Sequence, residues 1–486
     1  MMRRSLLIAF FSVALPCIPA HAQNACPNGT KSDKLACLVP QVYGTNGIDP
    51  RLAFGQAGTF STNFLTDSLS PVQSSIARES ALLPLESPSS GITFTWDPAA
   101  KVFTSSTDSL GPIIGERAET IGRSRVYLGF GYQYFNFKTL DGMSLNKLPV
   151  VLSQPDDSTT LFQNGGTGPV CSASAPASNG SNGPGPSSFG GCGYIRDVIS
   201  TVNSVDLKIH QFTTFITFGL TNRIDVSVAI PIENVRMGVT SNATIVHNDS
   251  PSRFFHAFQK RSDCPEFCLH QTFSTFGTAS GIGDITLRVK GIAWKGERAA
   301  LGLGVDVRVP TGQQLDFLGA GAAGVKPFVV WSYRSRISPH ALAGFEVNGS
   351  SIVGGSLTTG IKDRLPSQLT YSFGADVWLT KWITGAFDIV GQQVFQAKRA
   401  SITTFQDVGQ CQDTQTQCDP TKPTLPPNTY NVLTQSTGTY NISNASVGVK
   451  IKPFSNLLIT GNVLIKLNDG GLRSDFVPLV GVSYTF

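Results

Sequence analysis

Histidine and cysteine crowd one stretch of the chain, where His247, His256, Cys264, Cys268 and His270 fall within two dozen residues. Imidazole and thiolate ligands at such spacings could together hold zinc, which takes four of them. In an exported protein the thiols oxidise instead, so the preferred reading is a Cys264–Cys268 disulfide among loop histidines. Residues 319–324 read Gly-Ala-Gly-Ala-Ala-Gly, a G-x-G-x-x-G string that needs a helix after it to seat a dinucleotide phosphate. A strand is expected there instead, from Val325-Lys326-Pro327, so the string is read as a flexible loop. His210 and His340 are candidate general bases for a hydrolase, yet neither has a serine or acid partner recognisable from sequence. No G-x-S-x-G, H-E-x-x-H or phosphate-loop pattern occurs. The expectation is no catalytic residue, no metal site and no cofactor.

A second set of reactive types lies on the polar phase of alternating segments: Asp206, Lys208, Asp225, Glu233, Asp284, Arg288, Lys290, Asp306, Arg308, Glu346, Asp376 and Asp388. Seven of these, Asp284, Arg288, Lys290, Asp306, Arg308, Asp376 and Asp388, are the candidates for lining a lumen and choosing its solute. The competing reading is that Asp284 and Arg288 pair across strands with Asp306 and Arg308, an arrangement worth about 0.2–1 kcal/mol per pair.

Those charges sit on period-2 segments, the pattern of a strand with two different faces. Residues 224–230 (Ile-Asp-Val-Ser-Val-Ala-Ile) show it cleanly. About twelve such segments follow one another: 125–137, 204–220, 224–238, 282–294, 299–310, 325–334, 340–348, 368–379, 382–395, 439–452, 457–467 and 477–486. The segment 204–220 is the least regular, because its apolar phase slips near His210. The connections alternate between long and short, as in an up-and-down transmembrane barrel with short periplasmic turns and long extracellular loops. A soluble β-sandwich would alternate along its strands too, but its connections need not alternate in length. The chain ends in Val480, Val482, Tyr484 and Phe486, an apolar stripe closing on an aromatic residue. That stripe resembles the strand through which outer-membrane barrels are handed to their assembly machinery.

The composition agrees. Only 14% of the 486 residues are charged, against about 25% in soluble domains. A net charge of +5 without basic clusters gives no reason to expect nucleic acid as a partner. Residues 1–22 read as a secretory signal: a basic Met1-Met2-Arg3-Arg4, a short apolar stretch and a cleavage site at Ala20-His21-Ala22. No later apolar run could cross a membrane as a helix, so a membrane location requires strands. Eight of the nine cysteines remain after the signal and fall as neighbours, Cys26 with Cys37, Cys171 with Cys192, Cys264 with Cys268 and Cys411 with Cys418. Eight cysteines allow 105 pairings, and local pairing is the economical one.

Residues 23–124 are rich in Ser, Pro, Thr and Asn and carry no long helical period, although 77–85 could form a short helix. A hairpin over 92–104 would either raise the strand count to fourteen or fold into the lumen. Residues 163–191 are low-complexity. The organisation expected is a signal at 1–22, a periplasmic or lumenal plug-like segment at 23–124, and an all-β antiparallel barrel of about twelve strands at 125–486.

Residues 281–288 (Gly-Ile-Gly-Asp-Ile-Thr-Leu-Arg) resemble the strand opening of outer-membrane transporters named for the meta-pathway of phenol degradation. Val309-Pro310-Thr311-Gly312 resembles that family's strand ending, and Lys326-Pro327 its next strand start. The resemblance implies a barrel akin to the long-chain fatty-acid transporters, with an N-terminal plug, in the bacterial outer membrane. It also implies passive uptake of small hydrophobic or aromatic molecules. The partners expected are outer-membrane lipid, a small-molecule solute and the assembly machinery, for a monomer. The alternatives are a structural or adhesive barrel acting through its long loops, and an outer-membrane hydrolase.

Overall fold

The structure, a computed structural model, describes residues 26, 30–44, 48, 51–52, 72–73, 75–80, 83, 94–97, 102–105, 109–152, 197–247, 256–258, 261–264, 268–356, 360–406, 429–454 and 456–486. The expected signal at 1–22, the low-complexity stretch 163–191 and Cys171, Cys192, Cys411 and Cys418 lie outside these residues.

Thirteen strands make the wall: β1 (Val126–Leu140), β2 (Asp197–Gly219), β3 (Ile224–His247), β4 (His270–Ile282), β5 (Ile285–Lys295), β6 (Ala299–Val309), β7 (Gly324–Tyr333), β8 (Ile337–Asn348), β9 (Gln368–Thr380), β10 (Ile383–Gln406), β11 (Thr429–Ile451), β12 (Leu457–Lys466) and β13 (Phe476–Thr485). Apart from β4 and β5, which do not pair with each other, each pairs antiparallel with its sequence neighbours, and β13 closes the barrel on β1, with Val482 opposite Phe130. β4 and β5 both pair with β3, one above the other, so the wall has twelve positions. Short connections, at 220–223, 296–298, 334–336, 381–382 and 452–456, gather at one end, and every long one lies at the other. The hairpin at Phe94–Asp97 and Val102–Ser105 forms a separate two-stranded sheet, so it does not take the barrel to fourteen strands.

The strands differ more than twofold in length, from 10 to 24 residues, and the reason is visible in their faces. A transmembrane strand needs about 9–11 residues. β6, β7, β12 and β13 have 10 or 11, whereas β2, β3, β10 and β11 run to 23 or 24. At its short-turn end β3 turns Ile224, Val226 and Ile232 outward and Asp225, Ser227 and Glu233 inward. Beyond Glu233 the pattern reverses: Asn234, Arg236 and Thr240 face out, and Val235, Met237 and Val239 face in. β2 reverses at the same height, with Phe212, Ile216 and Phe218 outward below His210 and Val205, Leu207 and Ile209 inward above it.

The phase slip read near His210 is therefore not an irregular strand. It is the point where the medium outside changes from hydrocarbon to water. Asp206 and Lys208, expected inward because they belong to the polar phase, consequently point outward, where they form an exposed pair 2.7 Å apart.

Above the reversal the inner faces need apolar partners, and segments from the N-terminal region supply them. Leu35, Val39, Val42, Tyr43 and Ile76 pack with Leu207, Ile209, Val235, Met237 and Ile245 in one buried cluster inside the upper barrel. Full burial of such side chains contributes about 1.5–3 kcal/mol each. The 3-10 turn Leu35–Cys37 is tied by the Cys26–Cys37 disulfide, and Tyr43 Oη lies 2.6 Å from Ser241 Oγ. Residues 72–73 and 75–80 are helical and buried, a helix that begins and ends earlier than the 77–85 expected.

Candidate functional site

The break between β4 and β5 falls on Gly283 and Asp284, which insert one extra residue opposite β3 between the Ile282–Ile232 and Thr286–Ala229 pairs. Pro231 stands opposite the bulge. It has no N–H to offer, and its carbonyl accepts the Gly283 N–H at 2.9 Å. The two motifs that carry the family resemblance meet here. Thr311 Oγ1 donates to Gly283 O (2.6 Å) and accepts from Ile285 N–H (3.0 Å). Asp284 accepts from Gly312 N–H (3.0 Å) and Ala320 N–H (2.8 Å). The Gly-rich loop is thus drawn onto Asp284, so closely that a Cβ at Gly319 would stand 2.3 Å from Oδ1. No helix follows the loop; β7 does.

At the short-turn end, residues 109–121 lie across the lumen as a floor. Lys290, 1% exposed, donates to Glu116 (2.8 Å), Arg117 O (2.8 Å) and Glu119 O (2.9 Å). Arg288 bridges Glu116 (2.5 Å) and Asp306 (2.6 and 2.8 Å) beneath the Phe328 ring. Ser332 donates to Glu119 (2.7 Å), Ile121 N–H to Asp225 (2.9 Å), and Lys450 to Pro112 O. The segment leaves the lumen at Gly122, whose φ of 97° favours glycine, and a Cβ at Gly219 would stand 1.7 Å from the Gly122 carbonyl oxygen.

His340 is buried beneath this floor, its Nε2 2.5 Å from Asp388 and its Nδ1 3.4 Å from Asp376. Asp376 also accepts from Arg117 and from Ser109 Oγ. Ser109 thus bonds a carboxylate rather than the imidazole, and both ring nitrogens face acids, so among the described residues no hydroxyl is presented to His340 as it would be in a Ser-His pair. The group binds the floor to the wall. Gly115 packs onto it, and a Cβ there would stand 2.5 Å from His340 Nε2. His210 is elsewhere, on the outer surface, with Nδ1 2.9 Å from Tyr132 Oη.

Above the floor and below the upper packing lies a cavity of about 270 Å³. Asp284, Arg288, Asp306 and Arg308 line it, with Glu233 and Glu346; Phe215, Leu318, Leu342, Val390 and Ile442 supply apolar surface. Of the seven lumen candidates, these four reach the cavity, while Lys290, Asp376 and Asp388 are held against the floor. Arg288 pairs with Asp306 across β5 and β6 as expected, but Arg308 turns to Glu346 (3.2 Å) and Asp284 to backbone N–H groups. Gln211 Oε1, Glu233 Oε2, Gln368 Oε1 and two guanidinium nitrogens of Arg308 have no hydrogen-bond partner among the described residues.

Glu116, Arg117 and Glu119 escaped the sequence reading because they sit in a segment without periodicity. Their signal was indirect, a wall with more inward charge than its own strands could pair. The Asp376–His340–Asp388 group was within reach of register counting, since β8 and β9 pair Ser338 with Asp376 and β9 and β10 pair Gly374 with Asp388. Cys264 and Cys268 are joined by a disulfide, and no cluster of three or more metal-ligating residues occurs among the described residues.

A family model described as "Putative MetA-pathway of phenol degradation" matches residues 200–399, from β2 to β10, and includes both halves of the Asp284–Gly312 clasp. No curated protein matches the chain. Among solved structures the chain is similar to an outer-membrane channel from Pseudomonas putida F1, at 10% identity over 76% of this chain and 98% of that one, with a TM-score of 0.41. It is also similar to a FadL homologue of Pseudomonas aeruginosa, at 11% identity over 82% and 94% of the two chains, with a TM-score of 0.28. OmpF of Salmonella typhi follows at 7% identity over 75% and 98%, with a TM-score of 0.26. With a closed wall and a belt of outward apolar residues that includes Phe130, Val289, Leu303, Phe373 and Phe387, the protein is an outer-membrane β-barrel.

Proposed function

We propose that the protein is a passive outer-membrane channel for small hydrophobic or aromatic molecules, with residues 23–124 acting as its plug. The observation that carries this reading is the cavity between floor and upper packing. Its volume exceeds the roughly 150 Å³ that holds benzene. Its wall joins apolar surface to polar atoms still lacking partners, which suits a ring bearing a hydroxyl or similar group.

Two features support a route through it. β4 pairs only with β3 among the described residues, and the break that ends it is covered by the loop bearing Leu318, itself part of the cavity wall. The floor is held by ion pairs and hydrogen bonds together with small apolar contacts of Leu110, Ile113, Ala118 and Ile121, and water entering the lumen can replace its polar partners when it withdraws. On this reading the protein has no catalytic role and works as a monomer. Val480, Val482, Tyr484 and Phe486 all face outward as the stripe offered to the assembly machinery.

A structural or adhesive barrel is the second reading, and the filled upper lumen favours it. Uptake of a radiolabelled aromatic hydrocarbon by cells that carry or lack the protein separates the two. Channel function predicts faster uptake with the protein, slowed when Leu318→Trp and Leu342→Trp narrow the cavity. Equal uptake with and without the protein would leave the second reading.

A further inference from the structure

The outer surface just above the hydrocarbon boundary holds a feature that transport does not explain. The last apolar row runs across Tyr132, Phe212, Ile232 and Ile282, which the strand register aligns. Two rows higher, Lys208 stands directly opposite Arg236. Four residues at about 3.4 Å each, on strands tilted 35–45°, place that pair roughly 10 Å above the boundary, at headgroup height. Like charges directly opposite one another destabilise a sheet unless an anion sits between them. Asp206 meets Lys208 at 2.7 Å, but no carboxylate pairs with Arg236 among the described residues; only its Nε is used, on Asn234 Oδ1. Lys138, exposed and next in sequence to the Phe137–Leu207 pair, adds a third cation to the same rim.

The next row is Asp206, Gly238 and Phe276. Phe276 is 69% exposed among neighbours that are otherwise hydroxylated or charged. Because residue 238 has no side chain, the row contains a hollow bordered by Ser204, Asp206, Thr240, Ser274 and the Phe276 ring. A Cβ at 238 would stand 3.8 Å from that ring. Cations below, hydroxyl and carboxylate groups around, and a bare aromatic face beside the hollow are the complement of a phosphorylated sugar.

We propose that this surface binds a phosphorylated glycolipid of the outer leaflet, its phosphate on Lys208 and Arg236 and its sugar ring in the hollow over Gly238 against Phe276. Arg and Lys donate charge-assisted hydrogen bonds to phosphate, and the partly exposed position makes the contact sensitive to salt. The site lies outside the barrel, so it stands or falls apart from the uptake reading.

The test is native mass spectrometry of the purified full-length barrel titrated with lipid A carrying both of its phosphates. Dephosphorylated lipid A, phosphatidylglycerol and inorganic phosphate serve as separate probes. The expected result is that Lys208→Gln with Arg236→Gln weakens lipid A binding at least tenfold and Gly238→Leu weakens it severalfold. Dephosphorylated lipid A should bind the unaltered protein as weakly as the double variant binds lipid A. The altered side chains are on the surface, and retained heat-modifiable migration on gels confirms a folded barrel. Unchanged affinity in the double variant would overturn the proposal. So would equal binding of dephosphorylated lipid A or phosphatidylglycerol, or competition by inorganic phosphate at lipid concentrations.

Discussion

The lower and upper halves of β2 and β3 are one pair of strands written in opposite patterns. Below Glu233 the outer face is Ile224, Val226 and Ile232 and the inner face Asp225, Ser227 and Glu233; above it the outer face is Asn234, Arg236 and Thr240 and the inner face Val235, Met237 and Val239. The backbone does not distinguish the halves, since β2 and β3 stay paired without a bulge from Asp197–His247 to Gly219–Asp225. Only the media differ. Hydrocarbon outside and a polar lumen inside become water outside and a packed apolar plug inside. The two regions of plug follow suit in the main, with charge dominating the floor and apolar contact the upper part, although Arg78 and Glu79 add a buried polar cluster above and Ile113 and Ile121 small apolar contacts below.

The largest effect expected comes from writing one half's rule into the other. Leu207 is fully buried on the upper inner face. Leu207→Asp should cost about 3–5 kcal/mol, the loss associated with an unpaired buried charge, while the adjacent outward Lys208→Asp should stay within about 1 kcal/mol. Urea unfolding of the reconstituted barrel measures both, and similar losses would erase the distinction between the faces. Next is the lipid-facing surface. Val305→Arg, on β6 opposite Val289, should cost about 2–4 kcal/mol near the bilayer midplane. Ser274→Arg, outward on β4 above the boundary, should change stability by less than 1 kcal/mol in the same assay.

A smaller effect separates the two plug regions. Gly115→Val forces a side chain against His340 and should cost about 1–3 kcal/mol. Because most apolar contacts of the floor belong to small clusters separate from the large upper one, the expected outcome is local release. Limited trypsinolysis should then cut at Arg117 or Arg123 while the segment at 34–44 stays protected. Loss of protection in both regions together would mean that they are one cooperative unit.

Much of the wall was legible because a barrel strand in a bilayer has to alternate, and its turns have to differ in length at the two ends. The seven segments from 299–310 to 382–395 and from 457–467 to 477–486 match observed strands closely at their short-turn ends. What failed was extent and phase above the membrane. β4 was invisible: Ser274, Thr278 and Ser280 interrupt the outer face around Phe276, and Thr275, Gly277 and Gly281 interrupt the inner face around Phe273 and Ala279, so neither face carries a continuous apolar stripe. The extra residue at Gly283–Asp284 also shifts the phase between β4 and β5, and with it any count carried across. Of the site, Arg288 with Asp306 could be read from neighbouring strands. The floor charges Glu116, Arg117 and Glu119 could not, since their partners are set by where a non-periodic segment crosses the lumen rather than by any register.

The change of faces along β2 and β3 places the edge of the bilayer at the row containing Phe212 and Ile232. Single cysteines at the outward positions of β3, from 224 to 246 in steps of two, can be labelled with a fluorophore and reconstituted with lipids carrying nitroxide quenchers. Strong quenching is expected from 224 to 232, with an abrupt loss from 234 onward. Quenching that continued past 240, or that was absent at 226 and 228, would contradict that placement.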